Sequence, residues 1–260
     1  MDYAMARALQ RRAFECRDTE RILGDMSPCA EAVWHGGGRP VAAWGCYGSP
    51  VMFVDMTHPS SGGAEPASTS AGWGEYLSSV VPPDFDRHPG YAFHREVLAL
   101  LSDTWEDELE RTLCPATDAV YAAVVCCPAA EACTSGAADR CGRRFLLPLI
   151  TIVEPAAVIV RGQFASEWMF RYTEPTPAPD ETIGPVETWH GAVKVAAVGH
   201  HAFPLIFSDD GMDADAGMIA DCLARVCEPT DFFMPGGCGL HPSCPKLSTA
   251  RALEFFAATL

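Results

Sequence analysis

The stretch Ala119-Val120-Tyr121-Ala122-Ala123-Val124-Val125-Cys126-Cys127, taken with Pro155-Ala156-Ala157-Val158-Ile159-Val160-Arg161-Gly162, decides the fold. Val120 to Val125 and Ala156 to Val160 are short, continuous apolar runs rich in β-branched residues, the pattern of strands covered on both faces. Between them, Cys126 to Cys141 reads as a loop and Cys141 to Ile152 as an apolar helix that stops before Glu154-Pro155. Ala119 to Arg161 is therefore a strand–loop–helix–strand unit. Upstream, Val51 to Val54 is a third run of the same kind, opening into a Ser-, Gly- and Pro-rich loop, Asp55 to Gly74. Downstream, Gly162 to Phe170 continues as a helix. Val193 to Val198 reads as the fourth strand and leads to Gly199-His200-His201. Helical spacing also marks Met1 to Leu23, Tyr91 to Leu113 and about Ala214 to Val226. The expectation is an α/β fold, three-layer α/β/α with a central, mainly parallel four-stranded sheet. In such sheets ligands bind at the carboxyl ends of the strands.

The bulk properties narrow the function. The 260 residues carry 18 Lys+Arg against 34 Asp+Glu, a formal charge of −16, and only Lys194 and Lys246 are lysines. A nucleic-acid binder normally shows a basic footprint, so this balance counts against DNA or RNA. A high-salt cytoplasm is the competing explanation, since acidic, lysine-poor surfaces suit it and screening is strong there. No apolar run approaches the roughly 20 residues of a membrane span, and Met1 to Cys16 has no apolar segment after its arginines. A cytoplasmic protein without a membrane partner is expected. Residues 1–227 read as one α/β domain, with 228–260 as a Cys/His-containing C-terminal extension packed on it. Pro175 to Pro185 is a proline- and acid-rich connector.

Twelve cysteines in a cytosolic chain point away from a disulfide scaffold and toward metal ligation or buried thiols. Cys222, Cys227, Cys238, His241 and Cys244 make a candidate structural zinc set, with His241 three residues from both Cys238 and Cys244. Cys46, Cys114, Cys126 and Cys133 have no persuasive partner. His94, on a helix, reads as a surface or satisfied side chain. Gly36-Gly37-Gly38 has neither a P-loop lysine nor a dinucleotide fingerprint.

Several motifs together resemble the uracil-DNA glycosylase superfamily, especially its iron–sulfur bacterial and archaeal branch. They are Val51 to Asp55; Val120-Tyr121 with Val124-Val125-Cys126-Cys127-Pro128; Cys141; Pro155 with Val158-Ile159-Val160-Arg161-Gly162-Gln163-Phe164-Ala165; and His201. The resemblance covers about Pro50 to Val226 and implies a divergent DNA-repair hydrolase that cleaves the N-glycosidic bond of a flipped, deaminated base. Where the family has a Gly-Glu-Ala-Pro-Gly type loop, this chain has Asp55-Met56-Thr57-His58-Pro59-Ser60. Asp55 or His58 would then position and activate the water, with Thr57 beside them. The family's base-reading asparagine falls on Ala123, whose methyl makes no paired hydrogen bonds. His201 matches the late histidine that stabilises the departing base, and His200 offers a competing register. The resemblance also implies a [4Fe–4S] cluster. Cys127 and Cys141 fall on the last two ligands, and Cys16 and Cys29 stand in for a Cys-x-x-Cys pair. Two alternatives stay open: a catalytically silent member kept as a DNA- or protein-binding module, and an unrelated metal-stabilised α/β protein.

Overall fold

The computed structural model describes residues 3–23, 27, 29, 40–58, 72–73, 87–109, 111–115, 118–127, 134–173, 176–177, 193–198, 201–208 and 216–232. The Gly36-Gly37-Gly38 run, Cys133, His200, the set Cys238, His241 and Cys244, and most of the 228–260 extension lie outside them. Among the described residues, seven strands form one mixed sheet. They are β1 (Ala43–Gly45), β2 (Val51–Thr57), β3 (Val120–Val125), β4 (Ala157–Arg161), β5 (Thr176–Pro177), β6 (Val193–Val198) and β7 (His201–Ser208). Their order is β1-β3-β2-β4-β7-β6-β5. The central four, β3-β2-β4-β7, are parallel. Antiparallel β1 flanks them on one side, and β6 with β5 on the other.

Alternation along the strands sorts their side chains to two faces, and both are covered. Val51, Phe53, Tyr121, Ile159 and Ile206 join one core with helices α2 (Ala92–Thr104) and α5 (Ala216–Val226). Met52, Val54, Val120, Val124, Val158, Val160 and Phe207 join the opposite core. That second core is closed by α1 (Tyr3–Leu23), by the helical segment α3 (Ser135–Val153) and by α4 (Gln163–Thr173). This is the expected three-layer arrangement, wider than four strands.

The fourth parallel strand differs from the expectation. It is β7, and Val193–Val198 is its antiparallel neighbour, with Val198 paired to His201. Val193 to Val198 and His201 to Ser208 thus form a tight antiparallel ribbon, which places His201 at the start of a strand, not at the end of one.

Segment α3 comprises Ser135–Cys141, a π turn Gly142–Leu146 and Leu147–Val153. It begins earlier than expected because Thr134 caps it, its Oγ1 accepting the Ala137 N–H at 3.1 Å. The π turn lies just before Pro148, which has no N–H to give, and Leu147 N–H reaches back five residues to the Gly142 carbonyl. The segment ends at Glu154 in the left-handed region, φ 51, ahead of Pro155. Helix α2 stops at Thr104, short of the expected Leu113.

Candidate functional site

At the carboxyl end of the parallel strands, Asp55 on β2 faces Ala123 on β3 in register. Asp55 is not free. Arg161, the last residue of β4, donates Nε to Oδ1 at 2.7 Å and Nη2 to Oδ2 at 3.1 Å. His94 of α2 places Nε2 3.3 Å from Oδ2. Burial alone would raise the Asp55 carboxyl, but His94 and then Arg161 outweigh it and hold the group below its ordinary range. His94 itself, completely buried, is pushed below its ordinary value by desolvation while Asp55 pulls the other way. A carboxylate with both oxygens engaged and a lowered pKa is a weak general base.

Of the two alternatives read for His94, surface or satisfied, burial excludes the first, and the Asp55 contact accords with the second. His94 sits among Phe53, Tyr91 and Tyr121, with ring centroids 4.7, 5.5 and 5.4 Å away. The Arg161 guanidinium lies 5.9 Å from the centroid of Phe93. At Gly162, φ 93 turns the chain from β4 into α4, and its N–H is held by the Ser208 carbonyl at 2.9 Å.

His58, just beyond β2, is also buried. Its Nε2 lies 3.0 Å from the Val41 carbonyl. Since a carbonyl only accepts, Nε2 carries the proton and Nδ1 is left as the acceptor of the neutral ring. Desolvation lowers the His58 pKa, with the Val41 carbonyl and Asp55 opposing. Thr57 is half-buried at the end of β2, and Ala123 is fully buried. These four residues share one end of the sheet.

His201 does not join them. Its Nε2 donates to the Pro155 carbonyl at 2.9 Å, at the amino end of β4, and its ring stacks on Phe203. Seven residue steps along β7, roughly 23 Å at the usual rise, separate it from Ser208 at the end where Arg161 pairs. A histidine there cannot reach a leaving base near Asp55.

The four cysteines expected to act together border a common pocket. Cys16 from α1, Cys29, Cys127 just past β3 and Cys141 from α3 line one pocket with Arg17, Glu20, Arg140, Arg144 and Phe145. All four are free thiols and buried. The Cys126 side chain and then its backbone N–H, 3.2 Å from Cys141 Sγ, lower the Cys141 thiol, while burial opposes them. Burial raises Cys16 to about 12 and Cys29 to about 11. Glu20, with a side chain 1% exposed, accepts from Arg140 at 2.7 Å, Arg144 at 3.3 Å and Ser27 at 2.5 Å. Among the described residues, no three His, Cys, Asp or Glu side chains are placed to hold one metal ion.

Of the candidate zinc residues, Cys222 and Cys227 are buried in the core beside α2, where they act as small apolar side chains. Burial raises both thiols. Among the described residues, no helix is long and apolar enough to cross a membrane. His94, Arg161, Glu20 and Arg144 carry the charge chemistry around the two sites, yet no spacing pattern in the chain singles them out. No family model matches the chain, and neither does any curated protein.

Proposed function

We propose that this chain is an iron–sulfur protein of uracil-DNA-glycosylase type, divergent in its crevice, that binds DNA without excising uracil. The observation that carries the reading is that Cys16, Cys29, Cys127 and Cys141, each buried, line one pocket. Four thiols from four separate segments are the donor set of a [4Fe–4S] centre. A single zinc needs its sulfurs within about 2.3 Å of one point, and no described group is placed for one ion; a cubane spreads its ligands further apart. Bound there, such a cluster supplies a covalent staple between α1, the Cys29 turn, the end of β3 and α3.

The crevice supports the silent form. Asp55 is committed to Arg161 and His94. Ala123 offers a methyl where a uracil reader needs an amide. His201 lies at the other end of the sheet. An acidic chain holds DNA only weakly, so binding here rests on bases placed in the crevice more than on phosphate contacts. The test pairs two measurements. Anaerobically purified protein should be brown, with absorbance near 400 nm and about four iron and four sulfide per chain. It should bind single-stranded DNA in a crevice-dependent way while leaving uracil-containing strands intact. A colourless, iron-free protein overturns the cluster, and strand scission at uracil after alkali overturns the silent crevice.

One observation favours hydrolysis as a second reading. His58 is kept neutral by burial and has its tautomer fixed by Val41, so its Nδ1 suits a general base. On that reading His58→Ala abolishes base release and Asp55→Asn chiefly destabilises the fold. Equal loss in both variants would contradict it.

A further inference from the structure

Cys16 and Cys29 stand thirteen positions apart, which poses a physical problem for a shared cluster. A Cys-x-x-Cys pair is pre-positioned by one turn of chain, whereas a twelve-residue spacer leaves its second thiol to be held by other means, at an added loop-closure cost. A hydrogen-bond network bridges that gap. Ser27 donates Oγ to Glu20 Oε2 at 2.5 Å and accepts the Cys29 N–H at 3.0 Å. On the other Glu20 oxygen, Arg140 donates Nε at 2.9 Å and Nη2 at 2.7 Å, and Arg144 donates Nη1 at 3.3 Å. The same Arg144 nitrogen lies 3.5 Å from Cys16 Sγ. One buried carboxylate on α1 therefore connects, through a serine, to the backbone of one candidate ligand. Through an arginine it connects to the sulfur of another.

We propose that Glu20, with Ser27 and Arg144, is the positioning unit for the two N-terminal cluster ligands, replacing the short spacer and setting the charge felt at the Cys16 sulfur. The inference rests on the iron–sulfur reading above. Two consequences follow. Without the Ser27 hydroxyl, Cys29 keeps its thiol but loses the anchor of its backbone, so the cluster gives up iron faster. Without the Arg144 cation, the sulfur loses a hydrogen-bond donor and a positive charge, both of which favour the more negative, reduced cluster. The reduction potential then moves downward.

The experiment uses the full chain, reconstituted anaerobically with iron and sulfide, as wild type, Ser27→Ala, Glu20→Gln, Arg144→Gln and Arg144→Lys. Circular dichroism selects the variants that fold. The readouts are iron per chain, the rate of bleaching by a ferrous chelator, and the potential from an EPR-monitored titration. Ser27→Ala and Glu20→Gln should bleach at least fivefold faster than wild type, with a three-iron EPR signal on oxidation. Arg144→Gln should shift the potential downward, and Arg144→Lys should restore most of it. A four-iron wild type with all variants matching it in bleaching rate and potential overturns this inference alone. A wild type that takes up no iron overturns the cluster reading, and this inference with it.

Discussion

Replacing Arg161 with leucine is the sharpest test of what Asp55 is for. The substitution keeps an aliphatic stem beside Phe93 and removes the cation. Asp55, its side chain 10% exposed, is then left with His94, which burial keeps largely neutral. Breaking a buried ion pair from one side costs about 3–5 kcal/mol. The Arg161 side chain is 25% exposed, so water screens part of that interaction and the expected loss falls to about 2–3 kcal/mol. At 1.4 kcal/mol per decade this is on the order of a hundredfold in the folded-to-unfolded ratio.

The pH dependence adds a second check. In the wild type the folded Asp55 pKa lies below its ordinary value of 3.8, so its stabilisation is present above that value and fades as pH falls through the lowered one. In Arg161→Leu one of the two groups that oppose burial is gone, so the folded Asp55 pKa rises from its wild-type level. The variant's deficit should therefore narrow as pH falls through that raised pKa, where its Asp55 takes up a proton before the wild type's does. Urea unfolding at several pH values measures this, and a cycle with Asp55→Asn isolates the pair. The double variant should be less destabilised than the sum of the singles by about 2 kcal/mol. Additive single effects, or a pH-independent difference under 1 kcal/mol, would refute the assignment of Asp55 to a structural pair.

Three other substitutions probe the frame around the sites. In Gly142→Ala the new methyl meets the Trp168 ring carbons Cζ2, Cη2 and Cε2 at less than 3.0 Å; a loss of about 1–3 kcal/mol and a changed near-UV dichroism from the displaced indole are expected. Asp118 accepts Arg111 Nη1 at 2.5 Å, Arg111 Nη2 at 2.6 Å and the Cys114 N–H at 2.6 Å. Since Asp118 is buried, Asp118→Ala should lower the urea midpoint by an amount corresponding to roughly 1.5–3 kcal/mol. Burial lowers both His58 and His94 from the ordinary 6.5, so the unfolded chain takes up protons first on acidification. Stability should be flat above that pH and decline below it, and His58→Gln should reduce the slope; a thermal melt series from pH 8 to pH 5 decides this.

The central strands were legible because both faces of the sheet are covered. Val51–Val54, Val120–Val125 and Val158–Val160 are apolar without a break, and only a doubly buried strand demands that. Strand β7 was not legible. Pro204 lies within it and normally argues against a strand, while His201 and Ala202 stay partly exposed in the ribbon with β6. That ribbon, invisible in composition, is what moves His201 to the amino end of the sheet. The sequence placed Asp55 at a strand end, but not its partners. His94 lies 39 positions away and Arg161 106 positions away, and their convergence depends on how α2 and β4 pack around β2. The resemblance grouped Cys16, Cys29, Cys127 and Cys141, which line one pocket, while Glu20 carried no signal, because one acid among 34 is distinguished only by its burial.

The strand-end residues and the thiol pocket are connected through the backbone. Thr57 and Val125 are paired at the ends of β2 and β3, so Cys127 stands two residues beyond the strand that carries Ala123. The Cys126 carbonyl accepts the Val41 N–H at 2.9 Å, and the Val41 carbonyl holds His58 Nε2 at 3.0 Å. A continuous path thus runs from the thiol pocket through one backbone segment to the histidine with the fixed tautomer. On the other side, Asp55 ties α2 to β4 through His94 and Arg161. The segment carrying His58 is thus held to the Cys126 backbone, and the end of β2 is held to α2 and β4 by the Asp55 contacts. Both anchors hold strand-end groups through contacts already made, Asp55 through Arg161 and His94 and His58 through the Val41 carbonyl.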